Sequence, residues 1–397
     1  MKGVKVRIYP NREQRELLDR HFGACRFVYN AALELKQTLW KEHRAKISWQ
    51  DLVKQLTDAK QEQTWLYGVK NEALQQSIRH LDSAYKRFFK GGGYPRFKSR
   101  RSRQSFTQNQ TLKIKDKAII FMRKEIKFRC SERDLRDLQQ SRIRRITWSK
   151  DTTGKYWASL LIDHTPTALE PNSEAIGIDL GLKEFITTSD GEVVGNPRHL
   201  RKAEARLKRL QRSLSRKRKG SQNRKKAAIR LAVQHQRVTC KRRDFHHKLS
   251  KRIVDEYQVI CLESLNISGM MKNHCLAKSV GDAGWGTFVS MLQYKAKWYG
   301  REVRQVGRFE PTSKRCSGCN WKDEGLTLAH RTFHCQECGL EMDRDLNAAI
   351  NIKNICIGMS CPDLKPVETE PVGGLRSRKS DIYHINSNYI ALDTIPC

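Results

Sequence analysis

The sequence is poor in acidic residues, and no apolar stretch in it approaches the about 20 residues that a membrane-spanning helix needs. A helical membrane protein is therefore not expected. Met1 to Pro10 alternates Val4, Val6 and Ile8, the pattern of a short strand, and lacks the apolar core of a secretory signal. Disulfide spacing is missing too. Of twelve cysteines, four form two C-x2-C pairs and the other eight are scattered, which points to a reducing, cytoplasmic interior. Hydrophobic residues reach only 38%, low for a globular protein, yet 397 residues suffice for two or three domains with cores of their own.

Positive charge fills the gap. Lys and Arg number 77 against 42 Asp and Glu, a net charge of +35 that repels itself unless a polyanion neutralises it. Nucleic acid is the polyanion expected, because binding releases counterions condensed on the phosphates. The excess is densest over residues 201–250, with nineteen Lys or Arg against two acids. Leu207, Leu210, Leu214, Ile229 and Val233 give this segment a helical period, and Gly220-Ser221 breaks it into a helical hairpin. Its candidate phosphate contacts are Arg209, Arg212, Lys217, Arg218 and Lys225. Arg26, Lys86, Arg87, Arg96 and Lys98 are further candidates, while Tyr29, Phe88, Tyr94 and Phe97 suit either base stacking or a core.

Asn11 and Gln14 read as a capping box opening a helix through Leu17, Leu18 and Phe22, with a second helix following through Phe27, Tyr29 and Leu33. Ser48 begins another, Asn71 a longer one, and Gly91-Gly92-Gly93 ends it, so residues 11–92 form a helical unit. From Ser105 the period becomes two. Leu112-Ile114, Ile119-Phe121, Ile126-Phe128, Ile143-Trp148 and Tyr156-Ile162 are the expected strands, the last two joined at Asp151-Thr152-Thr153-Gly154. With the N-terminal strand they are expected to close a small antiparallel barrel into which the helical unit is inserted. Pro166 to Ser173 reads as a linker. Beyond it come strands at Ile176-Asp179, Glu184-Thr188, Tyr257-Leu262 and Val303-Val306, and a helix marked by Trp285, Phe288, Leu292 and Ala296. Beyond Cys356 the chain turns polar and irregular, a disordered tail over 357–397.

Cys316-x2-Cys319 and Cys335-x2-Cys338 are separated by fifteen residues, the spacing of a ribbon holding tetrahedral Zn²⁺ on four thiolates. Four protein ligands leave no open position, so such a zinc is structural. Gly318 and Gly339 suit the metal-binding turns. His330 and His334 lie inside the loop, where surface or packing roles are expected.

Asp179 interrupts the apolar strand Ile176-Gly177-Ile178-Asp179-Leu180. A buried carboxylate without a partner costs several kcal/mol, so such a residue calls for a partner or a metal. Glu263 follows a second apolar strand, and Asp345 opens the helical run after the ribbon. Three acids on strand, strand and helix suit two Mg²⁺ or Mn²⁺ ions in phosphodiester hydrolysis. Asp343 rivals Asp345. Asp345 is favoured because it lies within the helical pattern, where Asp343 could cap the helix. Asp190 and Asp282 are expected in turns or caps.

The segments Ile178-Asp179-Leu180-Gly181-Leu182-Lys183, Leu262-Glu263-Ser264-Leu265, Pro311-Thr312-Ser313-Lys314-Arg315-Cys316-Ser317-Gly318-Cys319 and Asp343-Arg344-Asp345-Leu346-Asn347-Ala348-Ala349 resemble the TnpB family. These are transposon-encoded RNA-guided DNA endonucleases related to type V CRISPR effectors. Phe22-Gly23-Ala24-Cys25-Arg26, Tyr94-Pro95-Arg96-Phe97 and Asp282-Ala283-Gly284-Trp285-Gly286 extend the likeness to about residue 354.

The resemblance implies an α/β multidomain protein with an RNase H-like (RuvC) nuclease core over 171–310 and 343–356, a zinc ribbon inserted over 311–342, and catalytic Asp179, Glu263 and Asp345. It implies a wedge β-barrel over 1–10 and 93–170, carrying a helical recognition insertion over 11–92. It further implies a guide RNA from the transposon end, target double-stranded DNA cut beside a short motif, and a monomeric, nucleoid-associated ribonucleoprotein. Asn320 stands where a glycine often follows the second cysteine, and Asn tolerates the left-handed conformation. A nuclease-inactive RNA-guided repressor and a transposase are the rival readings. The first would be expected to have lost an acid, and no His-rich tyrosine-nucleophile signature accompanies the second.

Overall fold

The computed structural model describes residues 1–100, 103–109, 113–327 and 329–358. Leu112 and the expected tail from residue 359 onward lie outside the described residues. Contacts divide the described chain into two units, residues 1–164 with 218–233, and residues 165–217 with 234–358.

The first unit begins with β1 (Lys2–Ile8) and α1 (Arg12–His43). The capping box is formed in full: Gln14 N donates to Asn11 Oδ1 at 2.8 Å and Asn11 N donates to Gln14 Oε1 at 3.0 Å. Where two helices were expected there is one, continuous through Gly23. A mid-helix glycine costs about 1 kcal/mol, but the buried stripe Leu18, Phe22, Cys25, Tyr29 and Leu33 stays in phase across it, and packing decides. Next come α2 (Trp49–Glu62), a 3-10 turn (Thr64–Gly68) and α3 (Asn71–Phe88). Ser48 caps α2, its hydroxyl accepting from Asp51 N.

The strands that follow are β2 (Gln104–Gln108), β3 (Lys113–Lys115), β4 (Ala118–Phe121) and β5 (Lys124–Arg129). An unexpected helix, α4 (Glu132–Gln140), precedes β6 (Ile143–Lys150) and β7 (Tyr156–Ile162). The sheet runs β2-β6-β7-β1-β5-β4-β3, entirely antiparallel. Among the described residues no pairing joins the edge strands β2 and β3. The sheet is nevertheless strongly curled. Phe106 of β2 and Phe121 of β4, near opposite ends of the strand order, have ring centroids 5.7 Å apart, and Trp148 of β6 packs on both. Curling of this kind follows from strand twist, and the aromatic cluster fills the space it encloses.

The second unit opens with β8 (Ala175–Leu180), β9 (Glu184–Thr188) and β10 (Val193–Gly195), an antiparallel meander. Then come α5 (His199–Ser215) and α6 (Gln222–Glu256), parted at Gly220-Ser221 as expected; α6 belongs to this unit from Gln234. Next are β11 (Val259–Glu263), the short helices α7 (Ile267–Met270) and α8 (Ala277–Ala283), α9 (Trp285–Tyr299) and β12 (Glu302–Val306). A small hairpin, β13 (Thr332–His334) and β14 (Glu341–Asp343), leads into α10 (Arg344–Ile357).

The main sheet of this unit has the order β10-β9-β8-β11-β12, with β8, β11 and β12 parallel. Side chains alternate across a strand. Ile176, Ile178, Leu180, Ile260 and Leu262 enter one core, with Leu249 and Ile253 of α6 and Phe288 and Leu292 of α9. Gly177, Asp179, Cys261 and Glu263 must therefore point to the other face, where α10 lies. Cys261 packs there against Ile352 of α10.

α10 sits on β8 with no side chain between them. A Cβ on Gly177 would fall 2.0 Å from the Ala349 carbonyl oxygen and 2.7 Å from Lys353 N, both backbone atoms. Gly177→Ala must push the helix off the strand, at a cost of about 3 kcal/mol. The expected outcome is a melting temperature lower by roughly 10 °C, read by thermal denaturation; an unchanged melt would contradict this packing.

Candidate active site and cysteine cluster

Asp179 occupies the penultimate position of β8 and Glu263 the last position of β11, in neighbouring parallel strands whose register pairs Ile178 with Leu262. Asp345 enters from the first turn of α10. The three acids thus meet at the carboxyl ends of the parallel strands, where α/β sheets place their ligands.

Asp343 and Asp345 differ in their hydrogen bonding. Asp343 Oδ1 accepts from Asp345 N at 2.9 Å and from Leu346 N at 3.1 Å, so Asp343 is the N-cap. Asp345 Oδ1 instead accepts from Arg344 Nη2 at 2.9 Å and Nε at 3.2 Å. Glu263 Oε1 accepts from the hydroxyl of Thr312, a buried residue just before the ribbon. Asp282 caps α5, accepting from Leu200 N and Arg201 N, and Asp190 accepts from the Tyr257 hydroxyl. Both lie in the capping and turn roles expected of them.

Asp179 has no such cationic or hydroxyl partner of its own among the hydrogen bonds described. Burial, then the negative charges of Glu263 and Asp345, push its carboxyl up to about 7, against weaker opposition from Arg344 and the Leu180 backbone amide. The three carboxylates do not draw together as tightly as the cysteines, the one group among the described residues whose ligand atoms all lie within 4.8 Å of one another. Hard oxygen donors whose negative charges oppose one another suit a divalent cation such as Mg²⁺, which would relieve that repulsion.

In the cysteine cluster Cys316 Sγ and Cys338 Sγ are 3.6 Å apart, and Cys319 Sγ and Cys335 Sγ 3.4 Å. A tetrahedron of Zn–S bonds of about 2.3 Å has edges of about 3.8 Å, so the thiols fit the ion. The two turns repeat one geometry. Asn320 N donates to Cys316 O and Gly339 N to Cys335 O, each at 3.0 Å; Cys316 N donates to Trp321 O and Cys335 N to Leu340 O, each at 2.8 Å. The residue after each second cysteine is left-handed, Asn320 at φ 69° and Gly339 at φ 72°. Gly318 is not in that conformation, and a Cβ there would make only ordinary contacts, so its expected role as the turn glycine passes to Asn320.

Two buried amides tie this cluster to the helix of Asp345. Asn347 Oδ1 accepts from Ser317 N at 3.0 Å, and its Nδ2 donates to Arg315 O at 2.7 Å. Asn351 Nδ2 donates to Thr312 O and Arg315 O at 2.8 and 2.7 Å. Thr312, Arg344, Asn347 and Asn351 were not singled out from the sequence. The available signal was a pair of polar residues one turn apart, Asn347 and Asn351, among the apolar Leu346, Ala348, Ala349, Ile350 and Ile352.

The basic candidates fall into two groups. Lys86, Arg87, Tyr94, Arg96, Arg209, Arg212, Arg218 and Lys225 are exposed and Lys217 half-buried. Tyr29 is corrected to a core residue, 5% exposed with Lys98 Nζ lying 3.8 Å from its ring centre, which leaves no face for a base. Arg26 Nη1 donates to Gln104 Oε1 at 2.6 Å, and Lys86 pairs with Asp82. Phe88 and Tyr94 form a T-shaped pair at 5.1 Å.

The second unit is therefore an α/β unit with three acids at the carboxyl ends of parallel strands and a four-cysteine cluster beside them. Residues 159–274 match the OrfB_IS605 family, described as "Probable transposase", and residues 285–352 match the "Cas12f1-like, TNB domain". Residues 1–45 match a "Helix-turn-helix domain", although here they form one strand and one unbroken helix. A "Putative RNA-guided DNA endonuclease" of Streptomyces pristinaespiralis is 39% identical over 363 residues, 88% of each chain. The "Putative RNA-guided DNA endonuclease InsQ" of Escherichia coli K12 is 29% identical over 94% of this chain and 97% of its own. The "TnpB-like protein L79" of Acanthamoeba polyphaga mimivirus is 29% identical over 206 residues, 38% of that protein. In fold, the chain resembles the protein in a cryo-EM structure of a Cas12f1-sgRNA-target DNA complex, with a TM-score of 0.57 at 16% identity over 87% of this chain and 83% of that one. The chain belongs to the TnpB family.

Asp179 yields a sign-specific test. Its carboxyl titrates near 3.8 when unfolded and near 7 when folded, so folding takes up a proton between those values. The penalty of ionising it grows across that window and is complete above it. Without divalent metal, Asp179→Asn is expected to raise the melting temperature at about pH 8 by roughly 5 °C and to leave it nearly unchanged at about pH 4. Equal shifts at both pH values would contradict the assignment.

Proposed function

We propose that the protein is an RNA-guided DNA endonuclease whose Asp179, Glu263 and Asp345 hydrolyse phosphodiester bonds in a RuvC-type, RNase H-like core. The observation that carries the reading is the convergence of three acids from two parallel strands and one helix, in a family whose relatives are named as such nucleases.

The three carboxylates would hold Mg²⁺ or Mn²⁺, which when bound lower the pKa of water and offset charge on the phosphate. The chain's own residues prepare that site. Thr312 donates to Glu263 and fixes which oxygen faces inward. Arg344 neutralises part of Asp345 and lies close enough to oppose the rise in Asp179. The amino end of α10 adds its positive pole behind Asp345. The four cysteines would hold structural Zn²⁺ and so keep Thr312 and Arg315 where Asn347 and Asn351 bind them.

In this reading the curled sheet is the wedge domain and α1 to α3 the recognition insertion. Guide–target pairing supplies sequence specificity, while exposed cations such as Arg209, Arg212, Arg218 and Lys225 contact phosphates. The partners are a guide RNA from the transposon end and double-stranded target DNA beside a short motif. The complex is a monomeric, cytoplasmic ribonucleoprotein. The intact acid set favours cleavage over the binding-only alternative.

The test begins with purification from the native locus, sequencing of co-purified RNA, and Mg²⁺-dependent cleavage of matching DNA. Asp179→Ala or Glu263→Ala is expected to abolish cleavage, a loss of about 10³-fold or more, while RNA and target binding stay close to wild type. Undiminished cutting by either variant would sink the assignment. Cys335→Ser is expected to lose zinc, measured by elemental analysis, and to lower soluble yield; unchanged zinc content would refute the ribbon's ligand set.

A further inference from the structure

We infer that Phe309 is a stacking platform for an unpaired nucleobase of the DNA strand being cut, with Arg308 beside it for the adjoining phosphate. The inference rests on the endonuclease reading and adds a contact for the strand.

β12 ends at Val306, the register partner of Glu263. Three residues further on, Phe309 is 91% exposed, more than any other large hydrophobic side chain among the described residues. Three residues span at most about 11 Å, so the loop that carries Phe309 leaves the sheet at the same carboxyl edge as Glu263. Burying a phenylalanine ordinarily stabilises a protein by about 1.5–3 kcal/mol, yet this ring is left in solvent on a hydrogen-bonded loop. Glu310 N donates to Gly307 O at 3.2 Å, and Thr312 N donates to Glu310 O at 2.9 Å. Thr312 is then held on both sides, its hydroxyl by Glu263 and its carbonyl by Asn351. The loop is thus anchored to the same residues that shape the site.

The surroundings of the ring narrow its partner. The Arg308 guanidinium lies 5.5 Å from the ring centre, and Glu310 follows on the other side. A protein or lipid partner would call for a broad apolar patch, whereas here one ring stands among charges. One ring beside one guanidinium matches one base beside its phosphate. Bases in a duplex are already stacked on both faces, so the occupant is an unpaired base. Because the loop leaves the sheet edge that carries the acids, that base is assigned to the strand being hydrolysed. Stacking would hold the sugar-phosphate backbone at the acids without reading sequence, because every base offers a π face.

The test uses the ribonucleoprotein with its co-purified guide. Once the cut position is mapped with wild type, 2-aminopurine is placed next to it in otherwise matched DNA. Bound to the Asp179→Ala complex, the probe is expected to be quenched by stacking. Adding Phe309→Ala should restore its emission, and adding Phe309→Tyr should keep it quenched. With Asp179 intact, Phe309→Ala should slow single-turnover cleavage by about 10-fold and Phe309→Tyr by less than about twofold, with target affinity and zinc content unchanged. An abasic nucleotide at the probe position should slow wild type by the same factor and Phe309→Ala no further. If wild type cuts while Phe309→Ala cuts equally fast and quenches the probe equally, the stacking role is overturned and the endonuclease reading stands. If wild type does not cut matched DNA, the endonuclease reading itself fails.

Discussion

The contact on which the second unit depends is backbone against backbone, α10 laid on β8 at Gly177. Strand alternation sends Ile176, Ile178 and Leu180 into the apolar core and turns residues 177 and 179 to the opposite face. Removing every side-chain atom at 177 lets the helix come close enough for its first turn to bring Asp345 toward Asp179. Two residues further along, the same helix presents Asn347, and one turn beyond that Asn351, whose amides take the backbone of Thr312, Arg315 and Ser317. Thr312 returns to Glu263 through its hydroxyl. A chain of contacts therefore runs from β8 through α10 and the pre-cysteine loop back to β11, and no member of it can shift without moving a carboxylate.

Three carboxylates on one half-buried face are a liability that the surrounding residues only partly relieve. Arg344 is spent on Asp345 and the Thr312 hydroxyl on Glu263, leaving Asp179 to absorb the remaining repulsion as a raised proton affinity. A structural ion pair would have been arranged to lower that carboxyl instead. Sites that keep strain of this kind, when neighbouring residues could have been apolar, are characteristic of chemistry rather than of folding.

Much of this was legible because its signals are local. The Asn11–Gln14 box, the Asp151 turn, the break at Gly220-Ser221 and the two cysteine pairs each occupy a few adjacent residues and obey short-range rules. Choosing Asp345 over Asp343 was also local, since the capping position precedes the helix. What escaped depends on partners far away in sequence. α4 has few apolar residues, and buried Lys2 pairs with its Asp137, 135 positions distant. The two helices expected before and after Phe22 came from reading short segments, whereas the stripe from Leu18 to Leu33 that keeps α1 unbroken is tertiary. The burial of Tyr29 and the Thr312–Glu263 bond follow the same rule. The left-handed residue of each cysteine turn is the one after the second cysteine, Asn320 and Gly339, and at Asn320 the sequence had already allowed for that conformation.

The ribbon acquires its significance from the same distinction. Four thiolates close a coordination sphere and leave no position for a substrate, so a metal there can influence the acids only through the polypeptide. The route exists and is short. The turn that carries Cys316 begins where Asn347 and Asn351 hold Arg315, and Thr312 lies four residues before that cysteine. Loosening the cysteine turns would free Thr312 from one side, and Glu263 would lose the donor that orients it. A structural metal would in this way govern a carboxylate it never touches, which explains why an insertion of this kind belongs immediately before the helix that carries Asp345 rather than elsewhere on the sheet.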